Sequence, residues 1–493
     1  MKDQTVVSQF DLVAAAKARK VAIFWGRDAI TYAQLRDRIH LYAANLQSGS
    51  GIRPRDRVGI LLKNSPEFIY VLYAALKSGA AVVPINHFLK APEIQHIVDD
   101  CNLSCLVTTN DFDDTVAKLQ GVRTTLIGEL GKRNAVARPD WPVINRSELA
   151  VIIYTSGTTG KPKGALLSHG NIASNVHSCV QALEETDNDR LALLLPMFHS
   201  FMLTVCIFTP LSMGAGIVLI KSLHPLKAAM REMIFNRATI FVGIPQIFQA
   251  LAQAKIPFWV HWVLNLRMAV SGAAPLARET LEAFERKMRF PLLEGYGLSE
   301  ASPVVSFNPC RGVRKAGSVG LPLPDIEVKI FDDNGRELPP DHVGEIVVRG
   351  PNVMQGYYNQ PAETAAVLRD GWLHTGDMGK KDADGYISIV DRRKEMLLVR
   401  GMNVYPREIE EVLYRCPNVR EAAVVARPDE KRGEAAIAFV CPVEGAQLQS
   451  EEILWFCRER LADYKLPKEI RIVESLPHTA TGKIAKLELR KIL

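Results

Sequence analysis

Residues 149–164 read Leu-Ala-Val-Ile-Ile-Tyr-Thr-Ser-Gly-Thr-Thr-Gly-Lys-Pro-Lys-Gly. The apolar run at 149–153 predicts a buried strand, and the residues after it predict a loop that binds phosphate. Three glycines let the backbone turn tightly and point its N–H groups inward, while five hydroxyls and two lysines add donors and positive charge. On this stretch alone, a surface loop rich in Gly, Ser and Thr is the alternative. The candidate phosphate-binding residues are Thr155, Ser156, Gly157, Thr158, Thr159, Gly160 and Lys161.

This loop does not have the spacing of a P-loop. A Walker A loop has four residues between its first glycine and its terminal Gly-Lys-Ser/Thr. Here only two threonines separate Gly157 from Gly160, and Pro162 follows Lys161. The spacing therefore argues against a kinase or GTPase of the P-loop class.

The chain around the loop alternates short apolar runs with amphipathic stretches. Residues 58–62 and 80–84 predict strands on either side of a helix at 66–78. Such alternation indicates βαβ units and a largely parallel sheet covered by helices. The apolar runs recur at 192–195, 217–220, 240–242 and 267–270.

The pattern of apolar and polar residues changes in the last third of the chain. Residues 327–331 and 344–349 alternate apolar and polar residues between turn signals, which predicts an antiparallel β unit. A charged patch at 391–395 then precedes a smaller unit with strands and helices of its own. We therefore predict an N-terminal domain at 1–391, a hinge at 392–395 and a C-terminal domain at 396–493.

The composition is that of a globular protein, with 47% hydrophobic and 23% charged residues. The net charge of +6 suits anionic ligands, but no basic tract with interleaved aromatic residues predicts binding of nucleic acid. The eight cysteines lack a zinc-binding spacing and the N-terminus lacks an apolar signal core, so we expect a cytoplasmic protein. Residues 191–220 contain no Asp, Glu, Lys or Arg, but Pro, His, Thr and Gly interrupt them. We interpret them as a buried strand, a loop, a core helix and a second strand rather than a membrane span.

Six further motifs follow the phosphate loop. They are Ser271-Gly-Ala-Ala-Pro275, Gly295-Tyr-Gly-Leu-Ser-Glu300, Trp372-Leu-His-Thr-Gly-Asp377, Asp391-Arg-Arg-Lys-Glu395, Gly401-Met-Asn-Val-Tyr-Pro-Arg-Glu-Ile-Glu410 and Pro477-His-Thr-Ala-Thr-Gly-Lys483. In this order the seven resemble the motifs of the adenylate-forming (AMP-binding) superfamily, in its branch of acyl-CoA synthetases and fatty-acid–CoA ligases. The resemblance implies an α/β fold, with a large N-terminal domain of two covered βα sheets plus a small β unit. A small mobile α+β C-terminal domain would follow.

The resemblance also implies a site for ATP and Mg²⁺. Tyr296 would pack on the adenine ring and Ser299 would reach the α-phosphate. Glu300 would hold Mg²⁺, a cation that prefers carboxylate and phosphate oxygens. Asp377 and Arg392 would bind the ribose hydroxyls. The backbone lining of the nucleotide pocket would come from Gly272, Ala273, Gly295 and Gly297.

Three further residues are assigned to catalysis and movement by the same resemblance. Lys483 would supply the main catalytic charge, and His199 would lie near the reaction centre. Lys394 would be the hinge about which the C-terminal domain rotates between the two half-reactions. Coenzyme A would bind along a loop that contains Gly401, Met402 and Asn403.

The acid-binding pocket should be apolar, because no charged residue falls in the stretches expected to line it. We expect an uncharged tail and favour medium- or long-chain fatty acids, with fatty-acid metabolism as the setting. Pocket depth cannot be deduced from the sequence. The candidate pocket residues are Phe201, Val205, Gly243, Ile244 and Pro303.

The expected activity is that of an acid–thiol ligase that uses ATP, Mg²⁺ and coenzyme A. An acyl-acyl-carrier-protein ligase and an aryl-CoA ligase are the alternatives within this class, and a non-catalytic nucleotide sensor is the alternative outside it. The chain ends soon after Lys483, so we expect no fused carrier domain. Peripheral contact with a membrane and assembly into a homodimer are left open.

Overall fold

The computed structural model of the chain describes residues 4–132, 141–155, 162–221, 226–257, 260–393, 395–399, 402–429, 433–479 and 483–493. The helices are α1 Val6–Ala16, α2 Tyr32–Ser48, α3 Pro66–Lys77, α4 Ala91–Asp100, α5 Asp113–Val116, α6 Ile127–Leu130, α7 His169–Ala182, α8 Thr209–Met213, α9 Leu226–Phe235, α10 Pro245–Gln253, α11 Val260–Val263, α12 Arg278–Met288, α13 Pro361–Val367, α14 Pro406–Tyr414, α15 Ser450–Arg458 and α16 Lys486–Lys491. A π-helix covers Met202–Phe208, and 3₁₀ turns cover Asn110–Phe112, Ser299–Ala301 and Asp463–Lys465.

The strands are β1 Val21–Trp25, β2 Asp28–Thr31, β3 Arg57–Leu61, β4 Ala81–Pro84, β5 Cys105–Thr108, β6 Arg123–Leu126, β7 Leu149–Thr155, β8 Lys163–Ser168, β9 Arg190–Leu193, β10 Gly216–Leu219, β11 Ile240–Gly243, β12 Met268–Ser271, β13 Leu292–Gly297, β14 Val304–Phe307, β15 Leu321–Pro322, β16 Glu327–Phe331, β17 Gly344–Arg349, β18 Leu368–Arg369, β19 Trp372–Lys381, β20 Ile387–Arg392, β21 Leu397–Val399, β22 Met402–Val404, β23 Val419–Asp429, β24 Gly433–Pro442 and β25 Glu469–Ile472.

The six-stranded sheet carries the phosphate-loop motif at its edge. Its order is β6-β5-β3-β4-β7-β8, with parallel pairs up to β7 and an antiparallel β7–β8 pair at the end. Thr155 and Lys163 are opposite each other in that last pair, so the loop joins two neighbouring strands. The apolar run that predicted a buried strand forms β7, since 150–153 are buried.

The nine-stranded sheet has the order β15-β14-β13-β12-β11-β9-β10-β1-β2. Its strands from β13 to β1 pair in parallel. Parallel strands end at the same edge of a sheet, and ligands of α/β proteins bind outside those carboxyl ends. The segments after β9, β11, β12 and β13 therefore converge, although they begin at residues 194, 244, 272 and 298.

Two smaller sheets complete the chain. An antiparallel sheet of β16–β20 contains the predicted β unit, and its β19–β20 pair places Asp377 opposite Arg392. A last sheet of β21–β25 packs against α14 and α15 and has a separate apolar core. These layers confirm the predicted α/β class with a large N-terminal and a small C-terminal domain.

The uncharged segment 191–220 folds inside the N-terminal domain. It contains β9, the π-helix, α8 and β10, which agrees with the predicted strand, loop, core helix and strand, and the residues of the π-helix are all buried. Among the helices that the structure describes, none is long and apolar enough to cross a membrane.

Candidate active site

A cleft of about 1490 Å³ opens at the carboxyl ends of the parallel strands. Side chains from both large sheets, the antiparallel sheet and the C-terminal domain line it. All of the nucleotide candidates that the structure describes line this one space. They are Thr155, Gly272, Ala273, Gly295, Tyr296, Gly297, Ser299, Glu300, Asp377 and Arg392, joined by His199 and Lys483.

One corner of the cleft combines a phenol, a carboxylate and a guanidinium. The Tyr296 hydroxyl donates to Asp377 Oδ2 at 2.6 Å, and Arg392 Nε lies 3.1 Å from Asp377 Oδ1. Burial and the neighbouring Asp377 raise the pKa of Tyr296, so the phenol keeps its proton. Each Asp377 oxygen has a second lone pair, which suits a pair of vicinal hydroxyls. The sequence did not predict the Tyr296–Asp377 hydrogen bond.

Glu300 lies in the 3₁₀ turn Ser299–Ala301 that follows β13, and it also lines the cleft. Its Oε1 accepts a hydrogen bond from the Tyr357 hydroxyl at 2.9 Å. Its Oε2 accepts none from a residue that the structure describes. No group of three His, Cys, Asp or Glu among the described residues forms a metal site. A single carboxylate beside a phosphate loop fits Mg²⁺, which usually takes its other ligands from phosphates and water.

His199 follows β9 and faces this cleft. The Phe201 backbone N–H donates to His199 Nδ1 at 3.3 Å, so the proton of the neutral ring resides on Nε2. Burial, and then the positive charge of Lys483, lower the pKa of His199 to about 4. At neutral pH the ring is therefore an uncharged hydrogen-bond donor rather than a cation.

Lys483 enters the cleft from the C-terminal domain. Its backbone N–H donates to Thr479 Oγ1 at 3.1 Å, and its carbonyl accepts from the Thr479 N–H at 2.7 Å. The side chain is accessible from the cleft, and desolvation followed by the charge of Arg392 lowers its pKa. The Lys483 ammonium group is thus close enough to the Asp377–Arg392 ion pair to interact with it electrostatically.

An ion pair and a hydrogen bond join the C-terminal domain to the N-terminal domain. Arg415 Nε lies 3.2 Å from Glu279 Oε1 of α12. Across the domain junction, Gln249 Nε2 donates to the Arg420 carbonyl at 3.1 Å. None of these four residues belongs to a predicted motif, because each contact joins distant parts of the chain.

Several predicted residues lie elsewhere or outside the described part. Met402 and Asn403 are exposed on β22 and do not line the cleft. Phe201 and Pro303 line it, whereas Val205, Gly243 and Ile244 do not; all three are buried. Predicted residues outside the described part are Ser156, Gly157, Thr158, Thr159, Gly160, Lys161, Lys394 and Gly401.

The loop after β12 shapes the cleft closely. A Cβ on Gly272 would lie 2.8 Å from Phe201 Cζ, so the ring fills the space that another side chain would need. Ala273 has a φ of 67°, a left-handed conformation that side chains disfavour. Nearby, Glu294 accepts a hydrogen bond from the Leu276 N–H at 3.0 Å, and burial raises its pKa to about 7. The sequence singled out the loop but not Glu294.

Comparisons with known proteins agree with this arrangement. Feruloyl-CoA synthase from an Amycolatopsis species is 38% identical over 95% of each chain. Indoleacetate–CoA ligase from Aromatoleum aromaticum is 36% identical, over 98% of this chain and 97% of its own. Long-chain-fatty-acid–CoA ligase from Yersinia pestis is 34% identical, over 99% and 94%.

Among solved structures, MatB from Rhodopseudomonas palustris with ATP bound has a TM-score of 0.90 at 30% identity, over 99% of both chains. The apo form of the same protein has a TM-score of 0.81 over the same coverage. This chain is therefore closer in shape to the ATP-bound form. The family model for the AMP-binding enzyme matches residues 10–358, and the model for the AMP-binding enzyme C-terminal domain matches 408–483. The chain belongs to the family of AMP-binding enzymes.

Proposed function

We propose that this AMP-binding enzyme is an acid–thiol ligase that activates a carboxylic acid with an uncharged tail and transfers the acyl group to coenzyme A. One observation carries the proposal: Lys483 of the C-terminal domain lines the same cleft as Glu300, Asp377 and His199. Charge-neutralising and hydrogen-bonding groups from two domains thus surround a single space. The names of the relatives support an acyl- or aryl-CoA ligase.

In the first step, a carboxylate oxygen of the acid bonds to the α-phosphorus of ATP while the bond to pyrophosphate breaks. Such a reaction depends mainly on positioning and on neutralising charge. Lys483 would neutralise charge on the phosphate oxygens, and Asp377 would hold the ribose. Magnesium, held by Glu300 and the phosphates, would supply further Lewis-acid neutralisation when bound.

His199 would act as a hydrogen-bond donor in this step. Its Nδ1 is occupied by the Phe201 N–H, so only Nε2–H remains for a ligand. A neutral donor can orient the carboxylate of the acid without forming a tight ion pair that would weaken the nucleophile.

In the second step, the sulfur of coenzyme A bonds to the acyl carbon as the bond from that carbon to AMP breaks, and the thiol proton is released to water. We expect the C-terminal domain to rotate about Lys394 first, which would withdraw Lys483 and bring the 401–403 segment towards the cleft. The exposure of Met402 and Asn403 in the present orientation agrees with a role only after rotation.

The acid is a fatty acid or an aromatic acid. Phe201, Gly272, Ala273, Pro303 and Val304 give the cleft an uncharged wall, which supports the medium- or long-chain fatty acid expected from the sequence. An aromatic acid is the second candidate, because feruloyl-CoA synthase and indoleacetate–CoA ligase are among the relatives with the higher identities.

Pyrophosphate release across a panel of acids tests the proposal. The panel should contain acetate, octanoate, palmitate, ferulate and indoleacetate, each with coenzyme A, with an acyl-carrier protein and with neither. We expect release with at least one apolar-tailed acid and thioester only with coenzyme A. Thioester on the carrier protein alone would favour the carrier-protein ligase. ATP binding without release for any acid would favour a nucleotide sensor.

A further inference from the structure

One aromatic side chain outside the seven motifs contacts both sides of the proposed phosphate site. Tyr357 lies between β17 and α13, and its hydroxyl donates to Glu300 Oε1 at 2.9 Å. Its ring also lies under the ammonium group of Lys163, with Nζ 5.5 Å from the ring centroid. Lys163 begins β8, directly after the phosphate-loop segment. Tyr357 thus joins the proposed magnesium ligand to the strand that leaves the loop.

The backbone around Tyr357 is fixed to both of these partners. The Tyr358 N–H donates to the Gly164 carbonyl and the Leu166 N–H donates to the Gly356 carbonyl, at 2.8 and 2.9 Å. On the other side, the Met354 N–H donates to the Glu300 carbonyl at 2.8 Å. Since β8 and the Glu300 backbone are both hydrogen-bonded to residues 354–358, the Tyr357 phenol has little freedom to move relative to the Glu300 carboxylate.

Lys163 contributes to this arrangement rather than to an open cationic site. Its side chain is buried and forms an ion pair with Glu363 of α13. The carboxylate and the Tyr357 ring together compensate its charge. The lysine therefore packs on the ring whose hydroxyl contacts Glu300.

We propose that Tyr357 is a positioning residue that orients the Glu300 carboxylate towards Mg²⁺ and the phosphates of ATP, an assignment that rests on the proposed role of Glu300. The phenol occupies Oε1 and leaves Oε2 without a hydrogen bond from a residue that the structure describes. Hydrogen-bond partners that orient a metal-binding carboxylate commonly change metal affinity by about 10- to 100-fold when removed.

The test is calorimetric titration of ATP, without any acid, in the presence of Mg²⁺ and in the presence of EDTA. The ratio of the two affinities measures what Mg²⁺ adds to ATP binding. Tyr357→Phe keeps the ring over Lys163 and removes only the hydroxyl. We expect the Mg²⁺-dependent gain in ATP affinity to be about 10-fold smaller in this variant than in the wild type. Its ATP affinity in EDTA should equal that of the wild type.

Two further variants separate positioning from a general structural effect. Tyr358→Phe removes the adjacent hydroxyl, which makes no hydrogen bond to another described residue, and should change neither affinity. In a Glu300→Gln background, Tyr357→Phe should have no further effect on the Mg²⁺-dependent gain.

The proposal is overturned if Tyr357→Phe keeps the full gain, if it weakens ATP binding equally in Mg²⁺ and EDTA, or if the wild type shows no gain. Because no acid is present, these results do not depend on carboxylate activation. Failure of the proposed function would appear separately, as an absence of pyrophosphate release for every acid in the panel.

Discussion

Replacing Asp377 by Asn tests the ribose corner, because this carboxylate is 4% exposed and has a protein donor on each oxygen. In asparagine one of these two oxygens is replaced by an NH₂ group, which donates, so either Tyr296 or Arg392 loses its acceptor. The ribose would lose a charged acceptor at the same time. A hydrogen bond to a charged group contributes about 1.5–3 kcal/mol, so the Kd for ATP should rise about 10- to 150-fold.

Calorimetry with ATP and with 2′,3′-dideoxy-ATP provides the assay. The wild type should bind ATP more tightly than the dideoxy nucleotide by a factor within that range. Asp377→Asn should bind the two almost equally, since the acceptor that distinguishes them is gone. Asp384→Asn, which removes an exposed carboxylate paired with Lys315, is the control and should keep the wild-type preference.

If Asp377→Asn prefers ATP over the dideoxy nucleotide by the wild-type factor, Asp377 does not bind the ribose. Its contacts with Tyr296 and Arg392 would then serve only to join β13 to the antiparallel sheet. Thermal unfolding of the same variant would measure that contribution separately.

Three further predictions follow from the site. Burial holds the pKa of His199 near 4, below the unfolded value of about 6.5, so the unfolded chain gains a proton first as the pH falls and the wild type loses stability between these values. The free energy of unfolding of His199→Gln, measured with denaturant, should therefore rise by about 2 kcal/mol relative to that of the wild type from about pH 7 to 4.5. A difference that stays constant with pH would contradict the lowered pKa. Gly272→Val should displace the Phe201 ring and raise the KM for bulky acids about 10-fold, with little change in the KM for acetate. An equal rise in KM for all acids would show that Gly272 does not border the acid pocket. Lys394→Pro, which fixes φ, should spare acid-dependent pyrophosphate exchange and slow thioester formation about 10-fold or more; unchanged rates of both would exclude the hinge role.

Local signals in the sequence were sufficient for the individual strands and the helix that were predicted with bounds. Strands β16 and β17 have the predicted bounds, because alternation and flanking turn residues are properties of neighbouring positions. The helix predicted at 66–78 ends one residue earlier, at Lys77. The core helix within 191–220 was predicted, but its π geometry was not, since an apolar run does not reveal the hydrogen-bond register.

Contacts between distant residues could not be predicted in this way. Tyr357 and Glu300 are 57 positions apart, and Tyr296 and Asp377 are 81 apart. Their pairing depends on how the antiparallel sheet packs against the nine-stranded sheet. Val205 shows a related limit, because its helix is buried on all sides and the sequence does not reveal which face borders a ligand. The resemblance to a family, rather than periodicity, identified the nucleotide residues outside the phosphate loop.

The most direct test of the central claim compares the two half-reactions in Lys483→Ala. The claim is that Lys483 completes an adenylate-forming site in the orientation described here. Acid-dependent pyrophosphate exchange should fall about 10²- to 10³-fold, while transfer to coenzyme A from supplied acyl-adenylate should largely survive. Lys491→Ala, an exposed lysine of the same domain, should alter neither rate. Equal loss of both half-reactions, or unchanged pyrophosphate exchange, would contradict the claim.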